Sequence, residues 1–293
     1  MRQTLRHAAL VSIGAAVAVV LLHGLQLHLD EARAARQRLQ QFMFVPPGEH
    51  LRIAALGYEQ TVADLVWIQA VQAMGERKVT PEAGVWLVHA LDVITTLDPR
   101  FVRVYVSGGI ALTTLVSMYA DSNRLLQKGM THNPGVWELP FFLGFNYYFE
   151  EANDLKAAEY ISRASRLPGA PEFLAPLAAR LYVSARTPED AIDFLTQVYD
   201  QTKDENVKRV LAQRLKEVVV ERDLLLLEEA IRRYRDLYGR APGRLADLVG
   251  PALLRRLPPE PFGGRYLYDP QTETVKSSEV KERMKAYSHR RAP

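Results

Sequence analysis

The sequence predicts a mainly α fold. It reads as an α-solenoid of stacked helical hairpins, with an N-terminal transmembrane helix before it and a small C-terminal α+β module (a helix plus a β-hairpin) after it. Three observations carry this. Tyr148, Ala157, Ile161 and Ala164 recur as Tyr182, Ala191, Leu195 and Val198, each 34 residues further on. A helical hairpin of that length cannot bury its apolar face alone, so such units stack on their neighbours. An apolar run from Ala8 to Leu22 is followed by no Asp, Glu, Lys or Arg until Asp30. Near the C-terminus the helical pattern gives way to a Pro- and Gly-rich loop and two short alternating runs.

Composition sets outer limits. A chain of 293 residues holds one or two domains beside a short anchor. The net charge is only +3 and no stretch concentrates it, so nucleic acid is not an expected partner. The absence of cysteine excludes disulfides, thiolate metal sites, Cys nucleophiles and lipid attachment through Cys.

Arg2, Arg6 and His7 precede the apolar run. As a helix, residues 8–29 would span ~33 Å at about 1.5 Å per residue, enough for a hydrocarbon core of about 30 Å. A cleaved leader needs small residues just after its apolar run. The only such match, Ala32-Arg33-Ala34, lies beyond Asp30 and Glu31. An uncleaved anchor in the lipid bilayer is the expectation, its basic end in the cytoplasm. Arg33, Arg36 and Arg38 follow on the far side and weaken the asymmetry.

Residues 30–44 carry a seam of Ala32, Ala35, Leu39 and Phe42 and read as a helical neck. Pro46-Pro47-Gly48 ends it. Residues 51–75 resume a helical pattern through Leu56, Ala63, Val66, Trp67, Ala70 and Met74, and a second helix runs from Pro81 to Thr96. The next pair spans 102–134, with Gly108 and Gly109 in its first helix. Glycine costs about 1 kcal/mol in a helix interior, so close helix packing is the expected compensation there. Units from Trp137 to Pro168 and from Pro171 to Thr202 follow. Residues 205–237 form a long helix, partly the cap that such an array needs. The period, with an aromatic on the first helix and small then large apolar residues on the second, resembles the tetratricopeptide repeat.

From Leu226 the order of elements changes. Ala230, Ile231, Tyr234, Leu237 and Tyr238 are helical, with Gly239 as C-cap. A turn Arg240-Ala241-Pro242, a short helix Leu245–Leu248 and the loop Leu257-Pro258-Pro259-Glu260-Pro261-Phe262-Gly263-Gly264 come next, then a hairpin of 265–268 and 273–276. This stretch, 226–278, resembles the soluble head of the major pseudopilin of type II secretion systems. Two departures stand out. Glu260 takes the place of that family's Asp, and the N-terminus lacks a Gly-Phe-Thr-Leu-x-Glu processing signal. The resemblance thus implies a borrowed head module rather than a pseudopilin subunit. It also implies weak calcium-ligand candidates in Glu260, Asp269 and Glu273, since hard cations take several oxygens. The whole resembles bacterial membrane-anchored tetratricopeptide-repeat proteins. That implies a scaffold or assembly factor of the envelope, secretion or pilus type. It would sit in the inner membrane as a single-pass protein with its bulk periplasmic. The expected division is 1–29 anchor, 30–50 neck, 51–225 repeat domain, 226–280 C-terminal module and 281–293 basic tail.

No phosphate-binding, dinucleotide, zinc-protease or serine-hydrolase motif occurs. His89 and Asp92 lie three apart and read as a surface pair. Glu150, Glu151 and Asp154 read as a solvated turn, and Asp64 as a helix-terminal or solvent-facing acid. No enzyme, catalytic residue, resident metal or cofactor is expected. A protein partner is, in the groove that first helices line in such repeats. Aligning Tyr148 with Tyr182 puts Asn146 and Arg180 at equivalent groove positions. Phe149 and Glu150 then match Val183 and Ser184. Arg180 would be the charged donor to a peptide carbonyl or carboxylate. A structural subunit of a secretion or pilus-like complex is the alternative, and an enzyme with an unrecognised site a weaker one. Self-association into a homo-oligomer stays open.

Overall fold

The computed structural model describes residues 19–26, 45–76 and 79–284. The neck over 30–44, most of the expected anchor and the tail beyond Met284 lie outside these residues. Residues 19–26 are helical. Among the described residues no helix is long and apolar enough to cross a membrane. The described chain is mainly helical, with one two-stranded sheet. Its contacts divide it into a unit ending at Asp98 and a unit beginning at Pro99.

In the first unit, α1 (Gly48–Ala54) and α2 (Glu59–Met74) lead to α3 (Pro81–Leu97). The sequence suggested one helix over 51–75. The helix instead breaks at Leu56 and Gly57, both at positive φ. Leu56 fits an apolar helical pattern and hides the break, which Gly57 alone signals. The Thr80 hydroxyl caps α3 by accepting the Ala83 N–H, with Pro81 in the first turn, where its missing N–H costs nothing. Leu87, Ala90, Leu91, Val93 and Ile94 are fully buried along α3, which packs against α2, where Ala63 and Ala70 are fully buried, and against α1.

The second unit is built of hairpins. They are α4 (Val102–Thr114) with α5 (Tyr119–His132), α6 (Glu138–Phe149) with α7 (Asp154–Ser165), and α8 (Leu174–Ser184) with α9 (Pro188–Gln201). The long α10 (Glu205–Tyr238) follows. Each hairpin is closed by the same device. The backbone N–H that opens the second helix donates back to a carbonyl near the end of the first. The three pairs are Met118 to Leu112, Asn153 to Tyr147 and Thr187 to Tyr182, at 2.7, 2.9 and 2.9 Å. The residue before each donor, Ser117, Ala152 or Arg186, is left-handed at φ 55°, 49° and 62°.

These bonds fix the register. Leu112, Tyr147 and Tyr182 are equivalent, so the period on the first helices is 35 residues. Between the last two second helices it is 34, as in Ala157 and Ala191 or Ile161 and Leu195. The α8–α9 turn is one residue shorter than the α6–α7 turn. The expected match of Tyr148 with Tyr182 is therefore corrected by one position. Packing agrees. A Cβ on Gly144 would meet Ile161 Cγ1 at 2.7 Å, and one on Gly109 would meet the Leu126 side chain at 3.0 Å. Both glycines let a first helix lie against the large residue of its partner, as Gly109 was expected to do.

The C-terminal module packs on the second half of α10. Val220, Leu224, Leu227, Ala230, Ile231 and Tyr234 form one core with Leu248 and Val275. Those two come from a 3₁₀ turn (Leu245–Leu248) and from β2 of the antiparallel hairpin β1 (Tyr266–Asp269) and β2 (Thr274–Ser277). Helix α10 runs unbroken through the boundary expected at 225/226 and ends at Gly239, which is left-handed at φ 69°.

Candidate functional site

The corrected register defines one face on the first helices. Val106, Phe141 and Pro176 are equivalent, as are Ile110, Phe145 and Arg180, and Thr114, Phe149 and Ser184. Residues i, i+4 and i+8 of a helix share a face, and this face is open. Ile110 and Phe145 are each 36% exposed and Phe149 is 43% exposed, while Arg180 and Ser184 are half-buried. On α6 the rings form a ladder. Trp137 and Phe141 lie 5.8 Å apart between centroids, and Phe145 and Phe149 4.2 Å apart. Large rings held half in water leave apolar area that a partner can cover, and aromatic residues and Arg are enriched at protein interfaces.

The expected groove residues divide on this geometry. Phe149, Arg180 and Ser184 lie on the open face. The Ser184 hydroxyl donates to the Asp154 carboxylate and so ties α8 to α7. Glu150 is the half-buried C-cap of α6. Val183 is 5% exposed and belongs to the core.

Asn146 is also corrected. It is 3% exposed, and both ends of its amide are hydrogen-bonded inside the fold. Its Oδ1 accepts from the Thr113 hydroxyl at 3.0 Å, and its Nδ2 donates to Ser122 Oγ at 2.9 Å and Asn123 Oδ1 at 2.8 Å. Ser122 Oγ donates to Gly109 O at 2.8 Å, and Asn123 Nδ2 to Glu151 at 3.2 Å. This is an interhelical polar lock joining α4, α5 and α6. With the one-residue shift, Asn146 is equivalent to buried Leu181, and Arg180 to Phe145. Phe145 and Phe141 were missed because the phase of α6 was set by the wrong tyrosine. Their spacing of four residues up to Phe149 was the available signal.

Other sequence candidates resolve into structural roles. His89 Nε2 lies 2.7 Å from Val45 O, so that nitrogen carries the proton and fastens the chain before α1 to α3. Asp64 is exposed on α2. The three carboxylates proposed for calcium are each held separately. Glu260 accepts the N–H groups of Phe262 and Gly264 at 2.8 and 3.0 Å and the Ser277 hydroxyl at 3.0 Å. Asp269 accepts from Gln271 N and the Thr272 hydroxyl. Glu273 pairs with Arg235 at 3.2 Å. Among the described residues no group of three His, Asp or Glu side chains is placed to hold a metal ion. Glu260 instead organises the Gly-Gly loop.

Two part-buried contacts to carboxylates of α10, one a hydrogen bond and one an ion pair, fasten the C-terminal segment to that helix. The Tyr266 hydroxyl donates to Asp223 Oδ2 at 3.0 Å, and Arg222 donates twice to Asp223 Oδ1. Burial, and then the Asp223 charge, hold the Tyr266 hydroxyl protonated far above its ordinary range. Arg283 binds Glu221 at 2.6 Å and Glu228 at 2.5 Å. Burial opposes its charge, and the two carboxylates outweigh that, so its pKa is raised.

Set against protein-family models, curated proteins and solved structures, the chain finds no match.

Proposed function

We propose that the chain is a scaffold: a tetratricopeptide-like array, anchored in a bacterial inner membrane through residues 8–29, whose open face holds a segment of another protein of an envelope, secretion or pilus-type assembly. The observation that carries this is the aromatic row Phe141, Phe145 and Phe149, flanked at equivalent positions by Ile110 and Arg180. Apolar anchors give a bound segment its affinity. An arginine at the edge favours an acidic side chain or a terminal carboxylate, which it can bind in bidentate fashion. The reading is of a binder, because the face is dominated by exposed rings and aliphatic side chains with Arg180 at its edge, and the Ser184 hydroxyl on it is engaged in tying α8 to α7 through Asp154.

The test places a photo-crosslinking residue at Phe145 of the full chain in its native membrane, with exposed Arg163 on α7 as control. The expected outcome is a discrete crosslinked partner from position 145 and not from 163, lost with Arg180→Glu and regained with Arg180→Lys. Equal capture at both positions, or capture indifferent to Arg180→Glu, would refute the reading. The packing of a hairpin and Gly-Gly loop on α10 supports the second reading, a structural subunit acting through the C-terminal module. Crosslinks confined to β1 and β2 would favour it.

A further inference from the structure

The end of α1 and the turn into α2 hold the three most exposed large apolar side chains of the described residues. Leu56 is 85% exposed, Ile53 77% and Tyr58 71%. No charged residue lies between Arg52 and Glu59. The turn is held firmly at its base. Gly48 lies so close to α3 that a Cβ there would meet Thr96 Cβ at 2.8 Å, Arg52 donates to the Thr96 carbonyl, and Ala55 is buried. The Tyr58 N–H closes the turn on Ala55 O at 2.8 Å. Leu56 sits at φ 48°, a conformation that a branched L-residue adopts only at a cost. Among the described residues little packing returns that cost, since the side chain is 85% exposed. Leu65 (58% exposed) and Ile68 (54%) extend the same apolar surface along α2 from Tyr58.

We infer that this tip inserts into the surface of a lipid bilayer. A projecting apolar point with an aromatic phenol at its flank suits the boundary between headgroups and acyl chains, where an apolar body and a polar end are both satisfied. A second apolar surface in the same unit has the same need. Residues 19–26 are helical, and the consecutive side chains Val19, Val20, Leu21 and Leu22 are 65%, 70%, 69% and 60% exposed. Four consecutive positions cover every side of a helix, so the turn before His23 is apolar all round, and such a turn belongs in an apolar medium. The tip is therefore a second, shallow contact. It rests on the reading of residues 8–29 as the anchor that brings the bilayer within reach. With two points of attachment, this unit would be held in a fixed attitude to the membrane instead of swinging on a tether.

The chain contains no cysteine, so a single introduced thiol can be labelled uniquely. The experiment uses the full-length Leu56→Cys chain carrying an environment-sensitive fluorophore. It is reconstituted in phosphatidylcholine–phosphatidylglycerol vesicles, with Arg163→Cys as a control and Ile53→Cys as a second site. The inference expects blue-shifted emission at 56 and 53 and loss of most of it to acyl-chain spin-labelled lipid, while aqueous iodide quenches only position 163. A chain that floats with the vesicles while iodide reaches 56 as easily as 163 overturns the tip and leaves the anchor standing. Protection from iodide without quenching by lipid also overturns it, assigning the tip to a protein contact or a second copy. A chain that does not float with vesicles overturns both readings.

Discussion

The Asn146 amide uses both of its N–H donors and accepts one hydrogen bond on its oxygen, all inside the fold. A buried polar group stripped of its partners costs about 1–3 kcal/mol. Asn146→Ala should therefore lower stability by about that amount, read as a shift in the urea midpoint at unchanged slope. An unchanged midpoint would return Asn146 to a surface role. Asp247 shows the opposite extreme, a cap in water. The Arg244 side chain, and then the N–H groups of Arg244 and Gly243, hold its carboxyl below the ordinary carboxylate range. A carboxyl whose pKa is lowered on folding stabilises the fold above its unfolded value of ~3.9 and loses that contribution as pH falls through the folded value. The stability difference between the native chain and Asp247→Asn should be small at neutral pH, because the group is exposed. It should shrink towards zero in acid. A difference that grows on acidification would refute the assignment. Neither residue's role was visible from its type. Asparagine suits a groove and a core lock equally well, and its neighbours in space decide which.

Each hairpin turn is a left-handed residue followed by an N–H that reaches back to the first helix. That geometry recurs at Ser117, Ala152 and Arg186 with no glycine at any of them. Alanine in this region costs roughly 1–2 kcal/mol, and glycine gives back part of that in backbone entropy. Ala152→Gly should then stabilise the chain by roughly 0.5–1 kcal/mol, seen as a raised melting temperature, and Ala152→Val should lower it. A fall with glycine would mean that the turn is not strained. Most of the helices were legible, the break at Leu56 and Gly57 being the exception. The breaks after Asp98-Pro99 and Asn133-Pro134, the hairpin strands and the long helix from 205 all follow from period, proline and glycine. The one-residue difference between the α6–α7 and α8–α9 turns was not legible, because Tyr147-Tyr148 offers two tyrosines and the apolar pattern accepts either.

Helix α10 joins the array to the C-terminal module. Its first half packs against α8 and α9, and its second half is the floor of the module core. The two are not separable at the boundary suggested by the change in the order of elements at Leu226. A chain ending at Gly239 would lose Leu248, Val275, Phe262 and Tyr266 from that core and expose Leu224, Leu227, Ile231 and Tyr234 to water. Hydrogen exchange should show protection lost in α10 from about residue 220 onwards, with α4 to α9 still protected. Full protection through Tyr238 in that truncated chain would show that the module is a passenger on an independently stable helix.

Sequence alone determined the helical class, the approximate repeat, the hairpin at the end and the absence of any cysteine chemistry. These follow from local patterns: apolar periodicity, proline and glycine positions, and composition. The phase of the first helices, and with it the candidate face, needed the packed chain. Which tyrosine turns inward depends on which carbonyl receives the N–H of the next helix, a contact across a turn. Thus Phe145 came to the open face and Asn146 to the core. The burial of Asn146 depended in turn on Thr113, Ser122 and Asn123 arriving from two other helices, a convergence that spacing along one chain does not encode.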